Sequence, residues 1–75
     1  MDIRTESFDG LTIISGRTPT GRCEARVHDI EGHFFRIDRW FNGLYVTPFM
    51  AAMWQDRAAA IGEAQKWIVQ CMLAN

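Results

Sequence analysis

Short turn sequences divide the first 47 residues into segments of strand length, and the spacing of these turns constrains the fold more than any other feature. Asp9-Gly10 and Asn42-Gly43 are hairpin dipeptides, and Asn-Gly between apolar runs is the strongest short-range hairpin signal. The other turn signals are Thr18-Pro19-Thr20-Gly21 and Glu31-Gly32. Links this short join antiparallel neighbours, so the sequence predicts a meander. The predicted strands are residues 11–17, 22–30, 33–41 and 44–47, with a leading strand near residues 3–8 as a further option.

The chain after Pro48 changes to Ala, Met, Gln and Trp with a helical period. At 100° per residue one stripe collects most of its apolar side chains, namely Met50, Met53, Trp54, Ala60, Ile61, Ala64, Trp67, Ile68, Cys71 and Met72. Thr47 and Pro48 suit the first two positions of a single long helix. The alternative is a break near Gln55, with Asp56 capping a second helix. Gly62, on the side opposite the stripe, is expected to allow a close crossing.

These patterns predict one α+β domain spanning residues 1–75. Its architecture is a small antiparallel meander of three to four strands followed by one long C-terminal amphipathic helix. The helix packs on one face of the sheet.

The alternation of side chains along the strands assigns every residue to one of two faces. A two-residue Asn42-Gly43 turn places Phe41 opposite Leu44 and Trp40 opposite Tyr45. The face toward the helix then carries Cys23, Ala25, Val27, Phe35, Ile37, Arg39, Phe41, Leu44 and Val46. Matching these residues across the strands requires a three-residue loop or a bulge at Glu31-Gly32. The opposite side, called the outer face below, carries the candidate interaction residues Phe34, Trp40, Tyr45, Arg26, Arg36 and His28.

Catalytic and metal-binding patterns are absent from the sequence. Cys23 and His28 point to opposite faces of one strand, so they cannot form a thiolate pair. Cys23, His28, Asp29 and His33 lack zinc-ligand spacing, and no glycine-rich phosphate loop precedes a helix. Glu24 and Asp38 are expected as solvated ion pairs among arginines, and Cys23 and Cys71 as buried, reduced thiols. We therefore expect no enzyme activity, no metal and no cofactor.

Charge and hydropathy bear on the cellular location of the protein, and the number of elements that can cover the sheet bears on its partner. The net charge is −1, and no apolar run approaches the roughly 18 residues of a membrane span. No segment reads as a signal peptide, so a cytoplasmic location without membrane contact is expected. A single covering helix leaves the rings and arginines of the outer face exposed, unless Ile3 and Phe8 fold across them.

Two hypotheses follow for function. The first is a small protein-interaction module of bacterial or phage type, whose outer face binds a second copy of the chain or a larger protein target. The second is a nucleic-acid-binding sheet. In architecture residues 22–68 resemble the arm-binding domains of tyrosine integrases and AP2-type domains. That resemblance implies that the sheet reads the major groove of DNA.

Overall fold

The computed structural model describes residues 2–31, 34–48 and 53–74, and these form a five-stranded antiparallel sheet with one helix. The strands are β1 (Ile3–Phe8), β2 (Leu11–Thr18), β3 (Gly21–Ile30), β4 (Phe34–Phe41) and β5 (Leu44–Tyr45), and the helix is α1 (Arg57–Ala74). The spatial order β1-β2-β3-β4-β5 follows the chain. The α+β class and the meander are confirmed, and the optional leading strand adds one strand to the predicted number.

The turns set the predicted register. Asn42 and Gly43 have φ values of 52° and 79°, and they place Phe41 opposite Leu44. Positive φ at both central residues matches the right-handed twist of the paired strands, which is why Asn-Gly is favoured there. Between β3 and β4, Ile30 pairs with Phe34, so three residues lie in the loop as predicted. The loop begins with Glu31 at φ 55°.

The helix begins at Arg57, so of the two predicted alternatives the continuous helix from Pro48 is wrong, and the start capped by Asp56 is confirmed. The Asp56 carboxylate accepts a hydrogen bond from the Ala59 N–H at 3.2 Å, which satisfies one of the free donors of the first turn. Two residues earlier, Trp54 forms a β-bridge with Phe35, with backbone N–H···O distances of 2.7 and 2.9 Å. The predicted helical position Met50 lies outside the described residues.

Thr47, the predicted helix cap, contacts the edge of the sheet, and the residues that it would cap lie outside the described residues. Its hydroxyl accepts a hydrogen bond from the Arg39 N–H at 2.7 Å. It therefore extends the contact of the chain with the edge of β4 beyond the two residues of β5.

The core lies between α1 and the predicted face of the sheet. Ala60, Ala64 and Ile68 of the helix are fully buried against a group of buried sheet residues: Ile14, Cys23, Ala25, Val27, Phe35 and Ile37. Ile61 is only partly buried, because Ala60 occupies the position nearest the sheet. The helix contacts β2, β3 and β4. Within the described residues, no helix is long and apolar enough to cross a bilayer.

Close approach between helix and sheet occurs at Gly16, whereas the expectation for Gly62 is wrong. A Cβ atom on Gly16 would lie 3.1 Å from Met72 Cγ and 3.2 Å from Ile68 Cγ2. No atom lies within 4 Å of the corresponding position on Gly62, which is exposed. The missing side chain at Gly16 therefore sets the distance between α1 and β2.

Cys23 and Cys71 form a disulfide that joins β3 to α1, so the expectation of two reduced thiols is wrong. Their Cα atoms are 6.5 Å apart, within the range that a disulfide spans. The parity of Cys23 and the phase of Cys71 both direct the sulfur atoms into the core, which accounts for the contact.

Candidate functional site

The outer face is the side of the sheet opposite α1, and the structure brings all six candidate residues onto it. Register places Trp40 beside Tyr45, Arg26 beside Asp38, and His28 beside Arg36, while Phe34 pairs with Ile30 at the end near the β3–β4 loop. Phe34 and Tyr45 are 42% and 60% exposed. The predicted arrangement of this face is therefore present.

The N-terminal segment does not fold across the outer face. It forms β1 at the edge of the sheet, where Ile3 pairs with Gly16 and Phe8 pairs with Leu11. Phe8 remains 54% exposed. The alternative in which Ile3 and Phe8 cover the rings is therefore wrong, and no other described element lies over this face.

A first cluster is built around the Trp40 indole. The Arg26 guanidinium lies 4.8 Å from the Trp40 ring centroid, within cation–π range. Tyr45 meets the same indole edge to face, with centroids 5.2 Å apart and planes at 70°. Glu24 fixes Arg26 through a 2.8 Å Nε–H···Oε2 hydrogen bond, and its other oxygen lies 3.2 Å from Arg22. The indole is thus held between a cation and a second ring.

A second cluster is built around Asp38, which is only 5% exposed. The Tyr45 hydroxyl donates to its Oδ1 at 2.8 Å. Arg36 lies 3.1 to 3.2 Å from Oδ2 through two of its nitrogens. His28 Nε2 lies 3.1 Å from the same oxygen, although the angle does not make a hydrogen bond and the nitrogen is shielded from solvent.

The burial of Asp38 corrects the expectation of a solvated ion pair. A carboxylate placed on a sheet face between a tyrosine, a histidine and an arginine is covered by those side chains. The signal lay in the register, which puts Asp38 directly beside Arg26 and one row from His28 and Tyr45. The alternation of side chains along β4 predicted the face on which Asp38 lies, but it did not predict how deeply the carboxylate is buried.

Arginine is concentrated on the outer face. Five of the seven arginines lie there, namely Arg4, Arg17, Arg22, Arg26 and Arg36. The strands carry three carboxylates on the same face, those of Glu6, Glu24 and Asp38, and each lies within 4 Å of an arginine nitrogen. The face is therefore mixed in charge, with more arginines than carboxylates among its strand residues.

A shallow open depression of about 300 Å³ lies beside the first cluster, lined by Arg22, Glu24, Arg26, Trp40 and Gly43. One of its walls is aromatic and another is ionic.

No metal-binding group of three or more His, Cys, Asp or Glu residues occurs among the residues that the structure describes. Cys23 is bonded to Cys71 on the other side of the sheet from His28. His33, the remaining histidine in the candidate zinc set, lies outside the described residues.

No protein-family model, curated protein or solved structure matches this chain. The functional inference therefore depends on the geometry of the outer face.

Proposed function

We propose that this chain is a small non-enzymatic protein-interaction module that binds a protein surface with its outer face. The observation that carries the proposal is a sheet face that no described element covers, on which aromatic and arginine side chains are already held in place. Tyr45 illustrates this, since it is 60% exposed while its ring contacts Trp40 and its hydroxyl bonds Asp38. Tyr, Trp and Arg are the residue types enriched at binding hot spots.

Pre-organisation favours binding because the side chains lose little freedom when a partner arrives. Immobilising a flexible side chain costs about 0.5–1.5 kcal/mol on association. Arg26 is held by Glu24 and stacked on Trp40, so most of that cost is met in folding. The exposed parts of Phe34 and Tyr45 supply apolar area at about 25 cal/mol per Å² removed from water.

The charge pattern favours a protein partner. Glu24 forms ion pairs with Arg22 and Arg26, and Asp38 forms one with Arg36. These arginines are therefore less available to contact phosphates, and the face presents paired charges together with aromatic rings. The partner is either a second copy of this chain, in an isologous contact, or a larger protein target.

The test is capture of a partner by the tagged wild-type chain and by the Tyr45→Ala and Phe34→Ala variants, followed by titration with the purified partner. Leu73→Ala is the matched control, because Leu73 is 74% exposed on α1, away from the outer face. We expect both ring variants to weaken the captured complex and the control to retain it. Equal binding by all four proteins contradicts the proposal.

Self-association through the outer face has its own measurement. Sedimentation of the wild type and of Trp40→Ala should show a weaker complex for the variant, with unchanged circular dichroism. A monomer in both cases, together with no captured partner, also contradicts the proposal.

A nucleic-acid-binding sheet remains the second candidate, and the five arginines on the outer face favour it. Such binding weakens steeply with salt because phosphate contacts release counterions. We expect a salt-sensitive gel shift that weakens in Arg22→Ala, while Arg57→Ala, on α1, serves as the control. The absence of any shift at low salt removes this candidate.

The disulfide bears on the cytoplasmic location expected from the sequence. Disulfides persist in oxidising compartments and are rare in the cytosol, so the Cys23–Cys71 pairing counts against that location. Intact-mass analysis of protein alkylated at cell lysis, without reductant, measures the state of both thiols in the cell.

A further inference from the structure

We propose that β1 is a docking edge for a second copy of this chain, which pairs its own β1 antiparallel to the first. The contact uses backbone groups at the edge of the sheet and none of the outer-face rings. It therefore goes beyond the function proposed above and is tested with different residues.

The two edges of the sheet differ in how much of their backbone is covered by other segments of the chain. At the β4 edge, β5 covers one end, and the Val46 N–H donates to the Arg39 oxygen at 2.9 Å. The other end of β4 is covered by the bridge between Phe35 and Trp54.

At the β1 edge, all six residues of Ile3–Phe8 are exposed, and no described element pairs with the side facing away from β2. The helix contacts β2, β3 and β4 and leaves β1 uncovered. An edge of this length without proline or a bulge is a template for another strand.

The ladder with β2 shows which backbone groups of β1 point outward. The Arg17 N–H donates to the Asp2 oxygen at 3.3 Å, so that pair is hydrogen-bonded. Such pairs alternate along an antiparallel ladder. Arg4, Glu6 and Phe8 therefore also direct their backbone groups toward β2. The N–H and C=O groups of the alternate residues, Ile3, Thr5 and Ser7, face the open edge.

The charges of β1 select one register for self-pairing. Placing Thr5 opposite Thr5 of the second copy brings Arg4 opposite Glu6 on both sides of the twofold axis, and Ile3 opposite Ser7. The outward groups of Ile3, Thr5 and Ser7 then make six hydrogen bonds in all. Arg4 and Glu6 fall at the pairs without backbone hydrogen bonds, where side chains are closest and opposite charges attract.

The neighbouring registers that keep the faces matched are centred on Arg4 or on Glu6. Each places two like charges directly opposite one another, which is destabilising. Of these three registers, only the one centred on Thr5 places opposite charges against each other. The twofold axis runs perpendicular to the sheet, so both outer faces lie on the same side of a ten-stranded sheet.

The test is a charge swap measured by sedimentation equilibrium. Arg4→Glu places two glutamates opposite each other in the dimer, and Glu6→Arg places two arginines there. Each variant alone should dissociate at least about tenfold more readily than the wild type, since both opposed pairs become repulsive. An equal mixture of the two variants should recover the complex, because each chain then meets the opposite charge. Recovery in the mixture also shows that both variants are folded.

A second measurement separates this contact from the outer face. Amide hydrogen exchange at Ile3, Thr5 and Ser7 should slow as protein concentration rises, while Trp40→Ala should leave this protection unchanged. A wild-type chain that is monomeric at its highest soluble concentration overturns the proposal. So does a dimer that is weakened by Trp40→Ala and unaffected by Arg4→Glu, and that second outcome would assign self-association to the outer face.

Discussion

Loss of the Cys23–Cys71 disulfide is expected to lower the free energy of unfolding by about 4 kcal/mol. The two cysteines are 48 residues apart in sequence. In the chain-entropy treatment, closing a loop of that length removes about 13–14 cal/mol/K from the unfolded chain, or about 4 kcal/mol at 25 °C. Total stabilities of single domains are about 5–15 kcal/mol, so the bridge carries a large share of the stability of this domain. The folded state changes little, because Cys23 remains fully buried beneath α1.

The measurement is urea denaturation of the oxidised chain with and without a reductant, together with thermal melts. For a domain of this size, 4 kcal/mol corresponds to a fall in melting temperature of roughly 16–32 °C. The control is a chain carrying both Cys23→Ala and Cys71→Ala, whose midpoint should not respond to reductant. Equal midpoints for the oxidised and reduced wild type would refute the reasoning. Two alkylated thiols after denaturation without reductant would show that the bridge is absent.

Four further substitutions test the packing of the core and the outer face by urea denaturation. Ile68→Ala empties a fully buried site and should cost about 2–5 kcal/mol, whereas an unchanged midpoint would mean that α1 is not docked on the sheet. Gly16→Val overfills the contact with α1 and should cost about 1–3 kcal/mol. The control Gly62→Ala adds a methyl group in open space and should stabilise the protein by about 0.5–1 kcal/mol. A destabilising Gly62→Ala together with a stabilising Gly16→Val would contradict the assignment of the close helix–sheet contact to Gly16. Asp38→Asn removes the charge that the surrounding donors bind and should cost about 1–3 kcal/mol, and an unchanged midpoint would mean that these donors do not stabilise the carboxylate.

The sheet could be predicted from the sequence because its turns and the two faces of its strands depend on residues that are close together in the chain. Asn42 and Gly43 adopt the positive φ values that their residue types favour, and this fixes the pairing of β4 with β5. Parity then places Trp40 and Tyr45 together on the outer face, as the structure has them. Asp56 caps α1 through its own side chain, which is also a local signal.

Features that depend on distant contacts were not predictable in the same way. Trp54 fits the helical period, yet it bridges to Phe35, nineteen positions away along the chain, because that edge of β4 has open backbone groups. The depth of Asp38 depends on three side chains from three strands, and periodicity carries no information about such convergence. The pairing of Cys23 with Cys71 required the phase of the helix over the sheet, which the helical stripe gave only broadly.

The meander order has a consequence for the rate at which this domain folds. Each strand pairs with its neighbour in the chain, so the sheet forms by closing short loops, whereas α1 must dock on β2 and β3 across most of the chain. Topologies rich in local contacts fold faster. If the hairpins form the folding nucleus, a substitution at Asn42 should mainly slow folding, and Ile68→Ala should mainly speed unfolding. The turns then determine the folding rate of the domain, and the docking of α1 determines its unfolding rate.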